Sequence, residues 1–210
     1  MKITVFGATG DTGKQIVEQA LETGYDVVAF ARNPSKLNIS NEHLTIIQGK
    51  LSDAGLIESA IKGSDAVLSA LGPRGGSKDK PLTQGILNII SAMKNQGVRR
   101  LIITSTLSAK DSKDKPDFKT KTMVNLVKTT MHAAYEDIVN VAETVRESDL
   151  DWTIVRLAIL NNKPKSGKVK AGYVGSGDIA TQISRADIAD FMLKQITDMK
   201  YLHEAPAISN

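Results

Sequence analysis

Ile3-Thr4-Val5-Phe6-Gly7-Ala8-Thr9-Gly10-Asp11-Thr12-Gly13-Lys14 decides how this chain folds. The apolar half reads as a buried strand, and helical patterning begins at Lys14. Between them, glycines at positions 7, 10 and 13 form G-x-x-G-x-x-G, a tight turn from strand into helix. The first turn of such a helix has N–H groups without intrahelical partners, which makes it an anion site. The anion that a strand, glycine turn and helix most often hold is a dinucleotide pyrophosphate. Gly7, Thr9, Gly10, Asp11, Thr12 and Gly13 are therefore candidates for that contact. Gly13-Lys14 also invites a P-loop, but Ala8 stands where its first glycine is required. Gln15 follows the lysine in place of Ser or Thr, and the P-loop is rejected.

Outward from this stretch, short β-rich runs alternate with helical patterns. Strands are expected at Lys2–Phe6, Asp26–Ala31, Leu44–Gln48, Ala66–Ala70, Leu101–Thr104 and Trp152–Val155. Helices are expected at about 14–23, 53–62, 81–96, 119–147 and 184–198. That alternation means βαβ units and a parallel sheet covered on both faces. No repeat, linker or low-complexity tract divides the chain, so residues 1–210 read as one doubly wound α/β domain. Helix-to-strand turns are short, as at Thr23-Gly24-Tyr25, Lys62-Gly63-Ser64 and Gln96-Gly97-Val98. The connections 72–80, 105–118 and 161–177 are long and polar, and all run from strand to helix. They leave the carboxyl ends of the strands, where open α/β sheets bind ligands. The expectation is a site larger than a cofactor alone.

Composition narrows the chemistry. With 210 residues the chain can bury a substantial core, and 41% hydrophobic with 24% charged residues is ordinary for a globular protein. The absence of cysteine excludes disulfides, thiolate metal ligands and cysteine nucleophiles. No apolar run approaches the ~18 residues of a membrane span, and the chain opens into a strand instead of a signal peptide. A cytoplasmic protein without a membrane partner is expected. A net charge of +4 with 4% aromatics offers little for nucleic acid and leaves small anionic ligands in play. No cluster has metal-ligand spacing and no Gly-x-Ser-x-Gly elbow occurs, so no metal is expected and hydrolase chemistry falls away.

The end of the second strand carries the cofactor choice. An acid there would hydrogen-bond the ribose 2′-hydroxyl of NAD, whereas an arginine accommodates the 2′-phosphate of NADP. Here Val27-Val28-Ala29-Phe30-Ala31 ends in Arg32, with Ser35 and Lys36 close behind. A guanidinium clamps phosphate in a bidentate way, and an ammonium and a hydroxyl complete the site. NADP(H) is favoured over NAD(H).

These features, with Leu71-Gly72-Pro73-Arg74, Thr104-Ser105 and Asp151-Trp152-Thr153-Ile154-Val155-Arg156, fall in a familiar order. The chain resembles the atypical short-chain dehydrogenase/reductases along nearly its whole length. The nearest likeness is the NAD(P)H-binding, NmrA-like branch with its flavin reductases, also called biliverdin reductase B. The resemblance implies a Rossmann-like fold and cofactor contacts from Gly7, Thr9, Gly10, Thr12, Arg32, Ser35 and Lys36. It also implicates Leu51, Leu71, Gly72, Arg74 and Ser105, with Leu157, Ala158 and Ile159 passing the nicotinamide. The chain departs from the pattern at Gly49-Lys50, where the family commonly has Asp after the glycine. It departs again at Arg156-Leu157, where Arg-Pro is usual. The first weakens one adenine contact, and the second bears on the nicotinamide wall.

Common short-chain dehydrogenases use Tyr-x-x-x-Lys, the lysine lowering the tyrosine pKa. Tyr135 falls at the tyrosine position, but Val139 stands where the lysine belongs. Tyr135 can then donate a hydrogen bond but is a poor acid–base, and His132 shares its helix face. Ser105, at the end of the fifth strand, is better placed to reach a nicotinamide carboxamide or a bound acceptor. Lys163, Lys165, Lys168 and Lys170 lie in a stretch without acids, and Arg74, Lys78 and Lys80 lie in another loop. Such loops would attract a phosphate-bearing flavin or an acidic tetrapyrrole. The expected activity is NADPH-dependent hydride transfer to a flavin, quinone-like or tetrapyrrole acceptor, with the flavin a substrate and not a resident group. The competing reading is a non-catalytic NADP(H)-binding regulator. An epimerase or dehydratase is disfavoured by the lost Tyr-x-x-x-Lys pair. The expected assembly is a monomer or a small homo-oligomer.

Overall fold

β1 (Lys2–Phe6) lies in the middle of the sheet because both of its faces are apolar or internally satisfied. Ile3 and Val5 point to one side. Phe6 points to the other, where Thr4 Oγ1 also donates to the Ala60 carbonyl at 2.7 Å. This alternation is the period-two geometry of a strand buried on both faces. Residues 1–73, 81–177 and 179–210 are described in a computed structural model of the chain.

From β1 the chain passes through α1 (Asp11–Glu22), β2 (Asp26–Ala31), β3 (Leu44–Gln48), α2 (Ala54–Ile61) and β4 (Ala66–Ser69). Next come α3 (Pro81–Asn95), β5 (Arg100–Thr106), α4 (Phe118–Thr130), α5 (His132–Arg146) and β6 (Asp151–Leu157). Then follow β7 (Ile159–Asn161), β8 (Lys170–Gly172), β9 (Gln182–Ser184), α6 (Arg185–Lys194) and β10 (Ala207–Ser209). The main sheet has the order β3-β2-β1-β4-β5-β6-β10-β8, parallel except where β8 runs against β10. α1 and α6 cover one face with Ile16, Val17, Ile188 and Met192. α2, α3 and α5 cover the other with Ile57, Ile89, Met93 and Val145. The fold is a single Rossmann-like α/β unit, as the alternation of strands and helices requires.

Several expectations need correction. β5 and β6 continue past their expected ends at 104 and 155 to Thr106 and Leu157, so Ser105 sits inside a strand. The expected helix 119–147 is two helices, broken at Met131 (φ −131°, ψ 46°). Thr129 and Thr130 stand just before the break, and both hydroxyls donate back to the Leu126 carbonyl at 3.0 and 2.7 Å. Such bonds compete with the backbone ladder. The last expected helix, 184–198, ends at Lys194. The connection 161–177 is not wholly loop, because β8 lies in it, and β7, β9 and β10 were not expected. Each is three residues long, too short to show a period of its own.

A buried ion pair fastens the outer part of the sheet. Arg156 on β6 is fully buried, and its guanidinium grips Asp114 in a bidentate pair at 2.6 and 2.7 Å. Asp114 also accepts from the N–H of Asp111 and of Val174, both at 2.9 Å. Burial pushes the Asp114 carboxyl pKa up, but the Arg156 hydrogen bonds and those backbone N–H groups outweigh it and leave it below the ordinary carboxylate value. A carboxyl held low in the folded state stabilises the fold above its unfolded pKa of ~3.9. That contribution is lost as pH falls through the lower folded value. Asp114→Ala strands Arg156 without its partner and is expected to cost about 3–5 kcal/mol in urea unfolding. It should also flatten the acid limb of stability against pH.

Candidate functional site

The glycine turn is built by close approach. Gly7 has φ +77°, and a Cβ there would stand 2.7 Å from the Ala70 carbonyl oxygen. At Gly13 a Cβ would stand 2.1 Å from the Gly7 carbonyl oxygen. Any side chain at either place would push α1 away from β1 and β4. The turn closes through Gly10 N–H to the Gly7 carbonyl at 3.0 Å and Lys14 N–H to the Gly10 carbonyl at 2.8 Å. Gly10 is the N-cap of α1 and supplies no side chain to the first-turn N–H groups. Those groups remain for an anion. Asp11 turns outward toward Arg185, 3.7 Å away.

Arg32, Ser35 and Lys36 lie beside this turn because β2 pairs with β1 in register, Phe6 opposite Phe30. Two residues on, Arg32 leaves β2 one strand spacing, about 4.8 Å, from the turn. The side chains of Arg32 and Lys36 are exposed and make no ion pair with a described residue, while Ser35 Oγ donates to Asn33 Oδ1 at 2.7 Å. Leu51 follows β3, and its carbonyl accepts from Asn88 Nδ2 of α3 at 2.7 Å. Its side chain occupies the space that Gly85 leaves, with Cδ1 2.7 Å from where a Cβ would stand there.

From Thr12 a cleft of about 240 Å³ runs along the carboxyl ends of β4, β5 and β6. It gathers Thr12, Leu71, Gly72, Ser105, Leu157 and Ala158 of the expected residues. Ile159 is not part of the lining and is 58% exposed, while Leu160 lines the cleft. Arg74, Lys78 and Lys80 lie outside the described residues. The lining that sequence reasoning missed includes Thr104 and Thr106 of β5. It also includes Leu82 and Ile86 of α3 and Ile138 and Val141 of α5. These helix residues were legible as core, but nothing in their spacing marked them as cleft. The walls are mainly aliphatic, and no charged side chain lies among the described lining residues.

Ser105 Oγ is buried and has no hydrogen-bond partner among the described residues. Its neighbours are engaged: Thr104 Oγ1 donates to the Ser69 carbonyl at 3.4 Å, and Thr106 Oγ1 accepts from Ser108 N–H at 3.2 Å. An unpaired buried hydroxyl costs about 1–3 kcal/mol, a cost removed when a ligand supplies the bond. With the glycine turn, which no Cβ could share, this hydroxyl fits a dinucleotide whose nicotinamide reaches β5.

Tyr135 does not line the cleft. It packs beside Leu107, Val124 and Val174, with Lys128 Nζ 5.7 Å from its ring centre. His132 is exposed and pairs with Glu136 at 3.2 Å. The acid that shapes the cleft is one the sequence did not single out. Asp137, buried on α5, accepts from Leu82 N–H at 3.1 Å, Thr83 N–H at 2.9 Å and Thr83 Oγ1 at 2.6 Å. It caps α3 from another helix and sets Leu82 and Ile86 opposite Ile138 and Val141. The partners are 54 residues apart or more, so no local spacing announces them.

The lysine-rich loop needs a correction. Lys165 pairs with Asp190 of α6 at 2.6 Å, and Ser166 and Gly167 N–H donate to Asp187. The stretch is acid-free in sequence but not in space. None of Lys163, Lys165, Lys168 and Lys170 lines the cleft.

A family model described as NAD(P)H-binding matches residues 7–199, beginning at the first glycine of the turn. The chain belongs to this NAD(P)H-binding family. It is 30% identical over 181 residues, 80% of its length, to an uncharacterized chloroplastic protein of Arabidopsis thaliana. It is 29% identical over 75% of its length to a photosystem II assembly factor of Synechocystis. The chain spans 62% and 44% of those two relatives' lengths. Among solved structures, a short-chain dehydrogenase/reductase of Veillonella parvula in complex with NADP superposes with a TM-score of 0.83. It is 19% identical, with 100% of this chain and 94% of that one covered. An anaerobillin reductase of Escherichia coli superposes with a TM-score of 0.80 at 17% identity, covering 99% of this chain and 96% of that one. These likenesses support the fold.

Gly13→Ala tests the close approach. The added methyl must displace Gly7 or α1, and NADPH affinity is expected to fall at least about tenfold, roughly 1.4 kcal/mol. Gly24→Ala serves as the control: Gly24 has φ +79° but open space around it, so it should cost stability without a selective loss of cofactor. Fluorescence titration with NADPH and urea unfolding separate the two effects.

Proposed function

We propose that the chain is an NADPH-dependent reductase that passes hydride to a planar conjugated acceptor of the flavin, quinone-like or tetrapyrrole kind. The observation that carries the reading is the cleft itself. It joins the glycine turn at Thr12 to an aliphatic chamber at the carboxyl ends of β4–β6, with the partnerless Ser105 hydroxyl in its wall.

The residues divide the work. The N–H groups of the Gly7–Gly13 turn hold the pyrophosphate, and Arg32, Ser35 and Lys36 hold the 2′-phosphate. NADPH, when bound, supplies the hydride. Ser105 donates a hydrogen bond to the carboxamide or to the acceptor's oxygen and so fixes one ring against the other. Leu71, Leu82, Ile86, Ile138 and Val141 exclude water from the ring faces, which strengthens that bond. Among the described lining residues no carboxyl, imidazole or amine is present to act as general acid. The proton therefore comes from solvent at the mouth. A conjugated acceptor tolerates this, because its reduced form delocalises the new charge until the proton arrives. An unactivated alcohol substrate would need a base at Tyr135, which the geometry does not bring to the cleft.

Absorbance of NADPH followed against FMN, FAD, riboflavin, quinones and biliverdin tests the activity. Turnover of at least one acceptor is expected; tight NADPH binding with no turnover of any would return the regulator reading. NADPH should bind at least about tenfold more tightly than NADH, and Arg32→Ala should erase that preference while sparing NADH. Equal affinities in the unaltered chain would remove the role given to Arg32. Ser105→Ala should lower kcat more than Tyr135→Phe does. Tyr135→Phe is expected to cost less than about tenfold, below the 10²–10⁴ of a true general acid. A thousandfold loss there, with a titration near neutrality that vanishes in the variant, would make Tyr135 the acid.

A further inference from the structure

α4 turns its apolar side chains the wrong way for a helix serving only the core. Val124 is buried, but Phe118 is 83% exposed and Leu126 61%, and Met123 and Met131 are exposed as well. At 3.6 residues per turn, Phe118, Thr122, Met123, Leu126 and Thr129 fall within an arc of about 140°. Lys119 lies inside that arc, while Lys121 and Lys128 fall about 60° and 80° beyond its Phe118 edge, on the side that leads to Val124. From residue 118 to residue 135 the chain contains no carboxylate. The acid just before, Asp117, is committed to the helix start, accepting from Thr120 N–H at 2.7 Å.

The face stands at the same end of the molecule as the cleft. Val124 packs with Leu107, just past β5, and with Val174 and Ala207, beside Tyr135. One turn along α5 from Tyr135, Ile138 lines the cleft. An occupant of the α4 face would therefore sit near the cleft mouth.

We propose that α4 lays this face on an anionic lipid surface. The lysines meet headgroup phosphates, and Phe118, Met123 and Leu126 enter the boundary with the acyl chains, the arrangement of an in-plane amphipathic helix. Lys119 reaches outward along its own methylene stem. No helix among the described residues is long and apolar enough to cross a membrane, and adsorption in the plane requires none. Charge argues against a second copy of this chain as the occupant. A two-fold contact presents the same patch from both sides, setting a face that carries Lys119 and no carboxylate against its own copy. The cleft takes no residue from α4. A lipid surface needs no pocket.

Sedimentation of the full chain with vesicles decides the matter. The chain should pellet with phosphatidylcholine–phosphatidylglycerol vesicles, remain in the supernatant with phosphatidylcholine alone, and be released by salt. The triple variant K119Q/K121Q/K128Q should partition about 100-fold less, at about fivefold per lysine. Phe118→Glu combined with Leu126→Glu should abolish binding. Both positions are solvent-exposed, so circular dichroism and NADPH affinity, measured on the same samples, should be unchanged. A chain that ignores the anionic vesicles overturns the proposal. So does vesicle binding that survives both variants, or a dimer in sedimentation velocity that Leu126→Glu dissociates. None of these outcomes depends on whether the chain is a reductase, because the readout is partition and not turnover.

Discussion

The structure depends on one steric constraint, the approach of α1 to β1 and β4 through Gly7 and Gly13. A methyl at position 13 would lie 2.1 Å from the Gly7 oxygen, and one at position 7 would lie 2.7 Å from the Ala70 oxygen. Backbone meets backbone there with nothing between. The consequence is directional. The first turn of α1 points its unpaired N–H groups along the edge where β4, β5 and β6 end, and the cleft begins at Thr12. Everything the site is asked to do follows from the helix start and the strand ends sharing one edge.

The remaining walls are held by carboxylates that act at long range in sequence. Asp137 caps α3 from α5, Asp114 grips Arg156 beneath the loop after β5, and Asp187 gathers the Ser166–Gly167 backbone onto α6. Each is buried or partly buried and carries several hydrogen bonds, the condition under which a charge can leave bulk water. They do not touch the cleft lumen. Their effect is to fix the helices and loops around an aliphatic chamber in whose wall the buried Ser105 Oγ lacks a partner among the described residues. In the proposed reading such a chamber positions rings and excludes water and leaves proton supply to the mouth, a division that suits an acceptor whose reduced form is stabilised by conjugation.

The departures from the expected pattern share a cause. Tyr135 packed against Leu107 and Val174, and Ile138 and Val141 facing the cleft, describe an α5 whose cleft side is apolar, with Asp137 turned to the start of α3. The break between α4 and α5 at Met131 frees α4 to present a different face from its neighbour. A continuous helix from 118 to 146 would have carried one stripe throughout.

By itself the sequence determined the parallel α/β order, the glycine turn and the Arg32–Lys36 segment beside it; it put Ser105 at the end of β5, which the structure extends past it. Each depends on local rules: period-two apolar runs, glycine where no Cβ fits, and a strand end two residues past a register pair. The tertiary structure alone decided which faces of α3 and α5 line the cleft and that Asp137 caps a helix 54 residues away. It also decided that Lys165 is answered by Asp190, and that β7, β8, β9 and β10 exist. Those facts rest on partners brought together by packing, and three-residue strands acquire their conformation from the sheet they join. Helical period shows that a side chain is buried. It cannot show whether the neighbour across the gap is another side chain or the space kept for a ligand.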